Sequence, residues 1–264
     1  MPELAEVEFY RKQWDVGLGQ KIERVHLHAA KRVLRGVDTA ALERKIVGAK
    51  FIASEAHGKR MLFRFSGDLW LGLHLGMTGE LLVESPKFIP AKHDHLVLYQ
   101  SKRSLVFHDP RMFGRIQFHH GKHAPAWWTD LPPQPHQPGF TRALVEKFFA
   151  RRRKLPIKAA LLMQETFPGV GNWMADEILW RARINPKRRV ATLKPDAVAE
   201  LWKQTRWVSR ESLKYIAPAF DDPPPGWFFH NRWGRRGVCP RDNTPLKRAE
   251  VGGRTTAWCP VCQK

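Results

Sequence analysis

The period of the hydrophobic pattern changes partway along the chain, and no other feature restricts the fold as much. From about residue 45 to residue 120 apolar residues recur at every second position: Met61, Phe63 and Phe65, then Leu69, Leu71, Leu73 and Leu75, with 95–100 and 104–118 similar. Successive side chains of a strand point to opposite faces, so this spacing predicts strands with one buried face. Beyond residue 139 the period is helical. It predicts helices over 141–150, 156–166, 173–183 and 194–214, with breaks at Pro156, Pro168–Gly169, Pro186 and Pro218. A helix also opens the chain, because Leu4, Val7, Tyr10 and Trp14 share a helical spacing that Gly17 and Gly19 end. The fold class is therefore α+β and multidomain. The expected divisions are a β-rich domain over 1–122, a proline-rich linker over 123–139, a helical domain over 140–218 and a basic, loop-rich segment over 219–264.

At 264 residues each domain can hold its own core. Charge then narrows the function. Lys and Arg number 45 against 25 Asp and Glu, a net charge of +20. Such an excess favours a polyanionic partner, nucleic acid or an anionic membrane. No apolar run has the length of a spanning helix. The start, MPELAEVE, is acidic where a signal peptide would be basic and then apolar. The expectation is a cytoplasmic or nucleoid-associated protein with no membrane partner, and a monomer.

All three cysteines lie in the last segment, as Cys239-Pro-Arg-Asp242, a sixteen-residue insert and Cys259-Pro-Val-Cys262. Two knuckles around a hairpin-length insert are the layout of a zinc ribbon. Asp242 stands where a fourth thiolate would be. Zinc accepts carboxylate oxygen at a similar bond length, so a site of Cys239, Asp242, Cys259 and Cys262 is chemically sound. The alternative is a hairpin that has lost its metal and persists by packing. GGRTTAW (252–258) combines a turn with strand formers and puts Arg254 at or near the tip. Two histidine groups, His93 with His95 and His119 with His120, lack an apparent third metal ligand.

Position 2 is proline. A small residue there permits removal of Met1, which exposes a secondary amine. An α-amino group has a pKa of roughly 7.7–8.0, and surrounding cations lower it, so a neutral fraction exists near neutrality. Such an amine can attack a sugar C1′ and form an iminium. Glu3 and Glu6, three residues apart beside it, are candidate general acids or bases. Taken alone, the same residues are also ordinary helix-start chemistry.

Six stretches resemble the formamidopyrimidine-DNA glycosylase and endonuclease VIII family, in that family's order. They are MPELAEVE, Gly58-Lys59, His74-Leu-Gly-Met77-Thr-Gly79, Asp109-Pro-Arg111-Met-Phe113-Gly114, Pro168-Gly-Val-Gly-Asn172 leading into Ala175-Asp-Glu177, and the cysteine tail. The resemblance implies an N-terminal β-sandwich, a helix–two-turn–helix segment and a zinc-type hairpin. It implies a bifunctional DNA glycosylase/AP lyase acting on duplex DNA with a damaged base or abasic site. Pro2 would be the nucleophile, Glu3 the acid/base that assists ring opening, and Glu6 and Glu177 further acids of the site. Lys59, Asn172 and Arg254 would grip phosphates. Met77, Arg111 and Phe113 would fill the gap left by a flipped nucleotide. Asn172, just before an apolar-periodic run, is also expected to cap a helix. Ala5, Trp173, Met174 and Asp242 depart from the family pattern, and 217–227 (APAFDDPPPGW) is short where one branch has a longer loop. Two rival functions fit the same chain less well: a non-catalytic binder of distorted DNA, and an RNA-binding protein. Neither explains why Pro2, Glu3 and Lys59 occur together.

Overall fold

The computed structural model describes residues 1–234 and 236–264. The chain divides into two compact units, Met1–Pro2 with Glu6–Leu131, and Glu3–Ala5 with Pro132–Lys264. The division falls inside the opening helix α1 (Leu4–Gln13).

The first unit is a β-sandwich. Its strands are β1 (Arg24–Leu27), β2 (Phe51–His57), β3 (Arg60–Phe65), β4 (Leu69–His74), β5 (Glu80–Glu84), β6 (Asp94–Gln100), β7 (Arg103–His108) and β8 (Arg115–His120), with helix α2 (Thr39–Ile46) between β1 and β2. They form two antiparallel four-stranded sheets, in the orders β1-β6-β7-β5 and β2-β3-β4-β8. The alternation in the sequence sets the register, pairing Met61 with Leu73, Phe63 with Leu71 and Phe65 with Leu69 across β3 and β4. Their inward side chains join Leu96, Leu98, Leu105 and Phe107 of the other sheet in one core.

One expectation fails in detail. Strand β4 is buried on both faces, not one, because Gly72 lies under the Trp127 ring. That ring comes from α3 (Ala126–Thr129), a short helix inside the proline-rich stretch.

The second unit contains α4 (Arg142–Arg151), α5 (Ile157–Leu161), α6 (Asn172–Arg181) and α7 (Pro195–Ala219), followed by the hairpin β9 (Lys247–Val251) and β10 (Arg254–Trp258). Helix α5 stops at Leu161, short of the predicted 166. Helix α7 runs on through Pro218, which lies in its last turn, and a left-handed Phe220 ends it one residue after Ala219. The two-residue turn Gly252–Gly253 has both residues at positive φ, 63° and 72°, as a tight hairpin turn requires.

Three charges without solvent exposure join these pieces. Asp176 on α6 accepts hydrogen bonds from Lys158 of α5 and, at 2.7 Å, from Arg232. Its Oδ2 also takes the Ala257 N–H of β10 at 3.4 Å. Lys158 and Asp176 are fully buried and Arg232 nearly so.

Candidate active site and DNA-binding elements

The first four backbone N–H groups of any helix lack partners within it. At α6 the N-cap position is Gly171, which has no side chain to supply one. Glu3 supplies it from the other end of the sequence. Its Oε2 accepts the N–H groups of Gly171 at 2.9 Å and Met174 at 3.1 Å, and its Oε1 accepts that of Trp173 at 3.0 Å. The Leu4 N–H also binds the Gly169 carbonyl at 3.0 Å. Gly171 is needed here because a Cβ would run into the Glu3 carboxylate. Pro2, half-buried, is one peptide bond from this anchored acid.

Asn172 therefore does not cap the helix as expected. It is the first residue of α6, and its Nδ2 donates to the Thr255 carbonyl of β10 at 2.9 Å. Arg254, exposed at the start of β10, is the neighbouring residue. Within the second unit Glu3, Asn172 and the Arg254 hairpin thus converge on the start of α6.

Glu177 lies farther along α6 and is fully buried. Its carboxylate accepts from Arg181 Nε at 2.7 Å and from the Phe229 N–H at 3.0 Å. Arg181 in turn stacks 3.9 Å from the Trp207 ring and 4.8 Å from the Trp227 ring. Burial pushes the Glu177 pKa up to about 7, with Arg181 and the Phe229 and Phe228 amides offsetting part of the rise. The folded value exceeds the ordinary 4.5, so the folded chain holds this proton more tightly than the unfolded chain. The resulting stabilisation is full below pH 4.5 and is lost as pH rises to about 7. Glu177→Gln removes this titration. Relative to the parent it should gain up to about 3 kcal/mol between those limits, superimposed on any constant cost of losing the ion pair. Urea unfolding of both proteins across this pH range checks the slope; a constant difference would refute it.

In the first unit Gly58 and Lys59 form the turn between β2 and β3, with Gly58 at φ 59°. Lys59 is only 8% exposed and so is not a solvated surface lysine. His74 ends β4, and its Nδ1 accepts the Gly76 N–H at 3.0 Å. Burial, then the charges of Lys59 and Arg60, lower the His74 pKa to about 4. The ring is neutral at neutral pH, with its proton on Nε2.

Met77 and Phe113 are 39% and 43% exposed, which separates them from ordinary core residues of a sandwich. The Arg111 guanidinium lies 5.0 Å from the Phe113 ring centroid. A concavity of about 500 Å³ beside Phe113 is lined by Arg32, Arg35 and Arg115. Glu6 sits on α1 near Tyr10, whose pKa is pushed up to about 12 by burial, then Glu80, with a smaller part from Glu6.

In the tail hairpin the ligand atoms of Cys239, Asp242, Cys259 and Cys262 all lie within 4.8 Å of one another. Cys239 Sγ and Cys262 Sγ are 3.7 Å apart, and Asp242 Oδ2 is 3.5 Å from Cys259 Sγ. A tetrahedral zinc with Zn–S bonds of about 2.3 Å needs S···S edges of about 3.8 Å, so the spacing fits. Donors suited to thiolates are also in place. Trp180 Nε1 lies 3.3 Å from Cys239 Sγ, and the Cys262 N–H lies 3.4 Å from Cys259 Sγ. A backbone hydrogen bond from Thr244 holds the Asp242 carboxyl below its ordinary range. Among the described residues no other cluster of this kind occurs, and buried His95 bonds the Asp109 carbonyl and faces His28.

Comparison with known proteins gives a consistent result. The family model of the formamidopyrimidine-DNA glycosylase N-terminal domain matches residues 1–116, and that of the H2TH domain of the same enzymes matches 131–219. The formamidopyrimidine-DNA glycosylase of Carboxydothermus hydrogenoformans is 34% identical over 275 residues, with the whole of both chains covered. That of Thermus thermophilus is 36% identical over 281 residues, covering 100% of this chain and 98% of its own. Among solved structures, the Lactococcus lactis enzyme non-covalently bound to DNA with an AP site has a TM-score of 0.87 at 26% identity, with 99% of each chain covered. MutM in complex with DNA containing carbocyclic 8-oxo-G has a TM-score of 0.86 at 27% identity, with both chains fully covered.

Proposed function

The chain belongs to the formamidopyrimidine-DNA glycosylase family, and from that premise we propose that Pro2, freed by removal of Met1, is its nucleophile. The protein is a DNA glycosylase of base excision repair with AP lyase activity, and its partner is DNA carrying a damaged base or an abasic site. The amine of Pro2 attacks C1′ as the bond from C1′ to the base breaks; the base leaves with that electron pair and takes a proton from water, and the Pro2 nitrogen gives its own proton to the Glu3 carboxylate. Glu3 delivers a proton to the sugar ring oxygen, so the ring opens and the adduct becomes an iminium. Loss of a C2′ proton to a base then expels the 3′ phosphate.

The observation that carries this reading is the seating of Glu3. Three amides at the start of α6 orient its carboxylate, next in sequence to Pro2. In the same reading Lys59, Asn172 and Arg254 hold phosphates. Met77, Arg111 and Phe113 fill the stack from which the nucleotide has turned out. Glu6 and Glu177 are the further acids, Glu177 acting through its hold on Arg181 and on the 228–229 backbone. Borohydride trapping on a duplex with one abasic site tests the proposal: a covalent band is expected, whereas tight binding without one would favour a non-catalytic binder.

The Cys3Asp set is read as a structural zinc site that fixes the hairpin carrying Arg254. Elemental analysis of the purified protein should give about one zinc per chain, and Cys259→Ser should lose it. The same change should weaken DNA binding regardless of lesion, as loss of a phosphate contact does. Full zinc content in Cys259→Ser would exclude the assignment. No helix among the described residues is long and apolar enough to cross a membrane; the net charge of +20 supports a location with the chromosome.

A further inference from the structure

Asp109 follows β7, is fully buried, and has no part in the chemistry above. Its Oδ1 accepts from Thr78 Oγ1 at 3.1 Å and from the Arg111 N–H at 3.3 Å, and its Oδ2 accepts the Gly114 N–H at 2.7 Å. Its carbonyl takes Nε2–H of His95 at 2.9 Å, which ties the residue to the sheet beneath. One carboxylate therefore joins the turn that carries Met77 to the loop that carries Arg111 and Phe113.

The two loops also meet backbone to backbone. A Cβ on Gly76 would run into the Phe113 carbonyl group, and one on Gly114 would come within 2.9 Å of both Asp109 Oδ2 and the His74 carbonyl oxygen. Gly76 and Met112 have φ of 67° and 53°, a conformation that a non-glycine residue such as Met112 keeps only when its surroundings impose it. The exposed Met77 and Phe113 side chains lack enough packing of their own to fix them, so their placement is imposed from below.

We propose that Asp109 is a positioning residue for nucleotide eversion, clamping the Met77 turn and the Arg111–Phe113 loop into one rigid wedge. The proposal rests on the assignment of those three residues to the gap in the stack. Turning a nucleotide out of a duplex sacrifices its stacking and pairing, a loss that a wedge offsets only if both loops arrive together and in register.

Asp109→Asn tests it, because the carboxamide keeps the shape but must turn an N–H toward a donor that the carboxylate accepts. The readout is 2-aminopurine fluorescence beside an abasic analogue in a duplex, with single-turnover base release measured alongside. The unstacked population and base release from paired DNA should each fall about tenfold, the consequence of one poorly satisfied buried group. Borohydride trapping on a single-stranded abasic oligonucleotide, which has no stack to open, should stay within about twofold. Phe113→Ala, run in parallel, should lower the fluorescence, and the double variant should be no worse than Phe113→Ala alone. If Phe113→Ala leaves the fluorescence unchanged, the wedge assignment fails and the proposal with it. If Phe113→Ala lowers it and Asp109→Asn does not, the clamp alone is overturned. An equal loss on single-stranded DNA would mean general damage and would also overturn it. Should Asp109→Asn fail to fold, Thr78→Val removes one of the bonds and should reproduce about a threefold loss, confined to paired DNA; an unchanged signal there would overturn the clamp.

Discussion

A chain that keeps Met1 is expected to give no borohydride-trapped adduct with an abasic duplex while still binding it. With Met1 in place the Pro2 nitrogen is a tertiary amide, and its lone pair is delocalised into the Met1 carbonyl. The remaining positive charges still meet the phosphates, so affinity and its salt dependence should hardly change. Trapping should fall at least about a thousandfold, which corresponds to about 4 kcal/mol of barrier. The measurement needs two preparations distinguished by mass, one with Met1 and one without. Equal trapping by both would move the nucleophile elsewhere, with Lys59 the first amine to examine.

The second large effect should come from Glu3→Gln. Removal of a positioned acid/base costs about 10²–10⁴ in rate, so base release under single-turnover conditions should drop by that factor. The same change has a structural cost. Three amides of the α6 start converge on the Glu3 carboxylate, and a carboxamide must present an N–H to at least one of them. Stability should fall by about 1–3 kcal/mol. The two losses are separable, because urea unfolding reads the cap and kinetics read the proton transfer. Normal base release in a destabilised protein would leave Glu3 as a cap only. Gly171→Ala offers a check that spares the carboxylate: its Cβ has to displace Glu3, so base release should fall in the same direction.

Much of the architecture is legible because a two-residue period and a helical period have different geometric consequences. The alternating Leu69–Leu75 run predicts β4 and its inward face correctly. It does not show that Trp127 covers the other face, since that ring lies in a stretch with the composition of a linker. The cysteine spacing brings four ligand atoms together as anticipated.

The failures have a common cause. Asn172 has the composition and position of a cap, yet the cap is Glu3, 168 residues from Gly171. No local window contains both residues. Nothing in the sequence marks Lys158, Asp176 and Arg232 as partners, and only the fold shows them buried against one another. Propensity and periodicity describe a residue against its neighbours in the chain; partners brought together by tertiary packing lie outside that range.

Asp176 has a consequence for the way the second unit comes apart. It is held at once by α5, by Arg232 and by the inner strand of the tail hairpin. Any partial opening that draws off α5 or Arg232 breaks a buried ion pair, at about 3–5 kcal/mol, and drawing off β10 takes a backbone donor from the same carboxylate. The hairpin and the helices are thus bound into a single cooperative block, with no cheap route by which the tail frays first. Limited proteolysis of the folded protein would release no lasting helical fragment without its tail, and amide exchange in β10 would keep pace with that in α6.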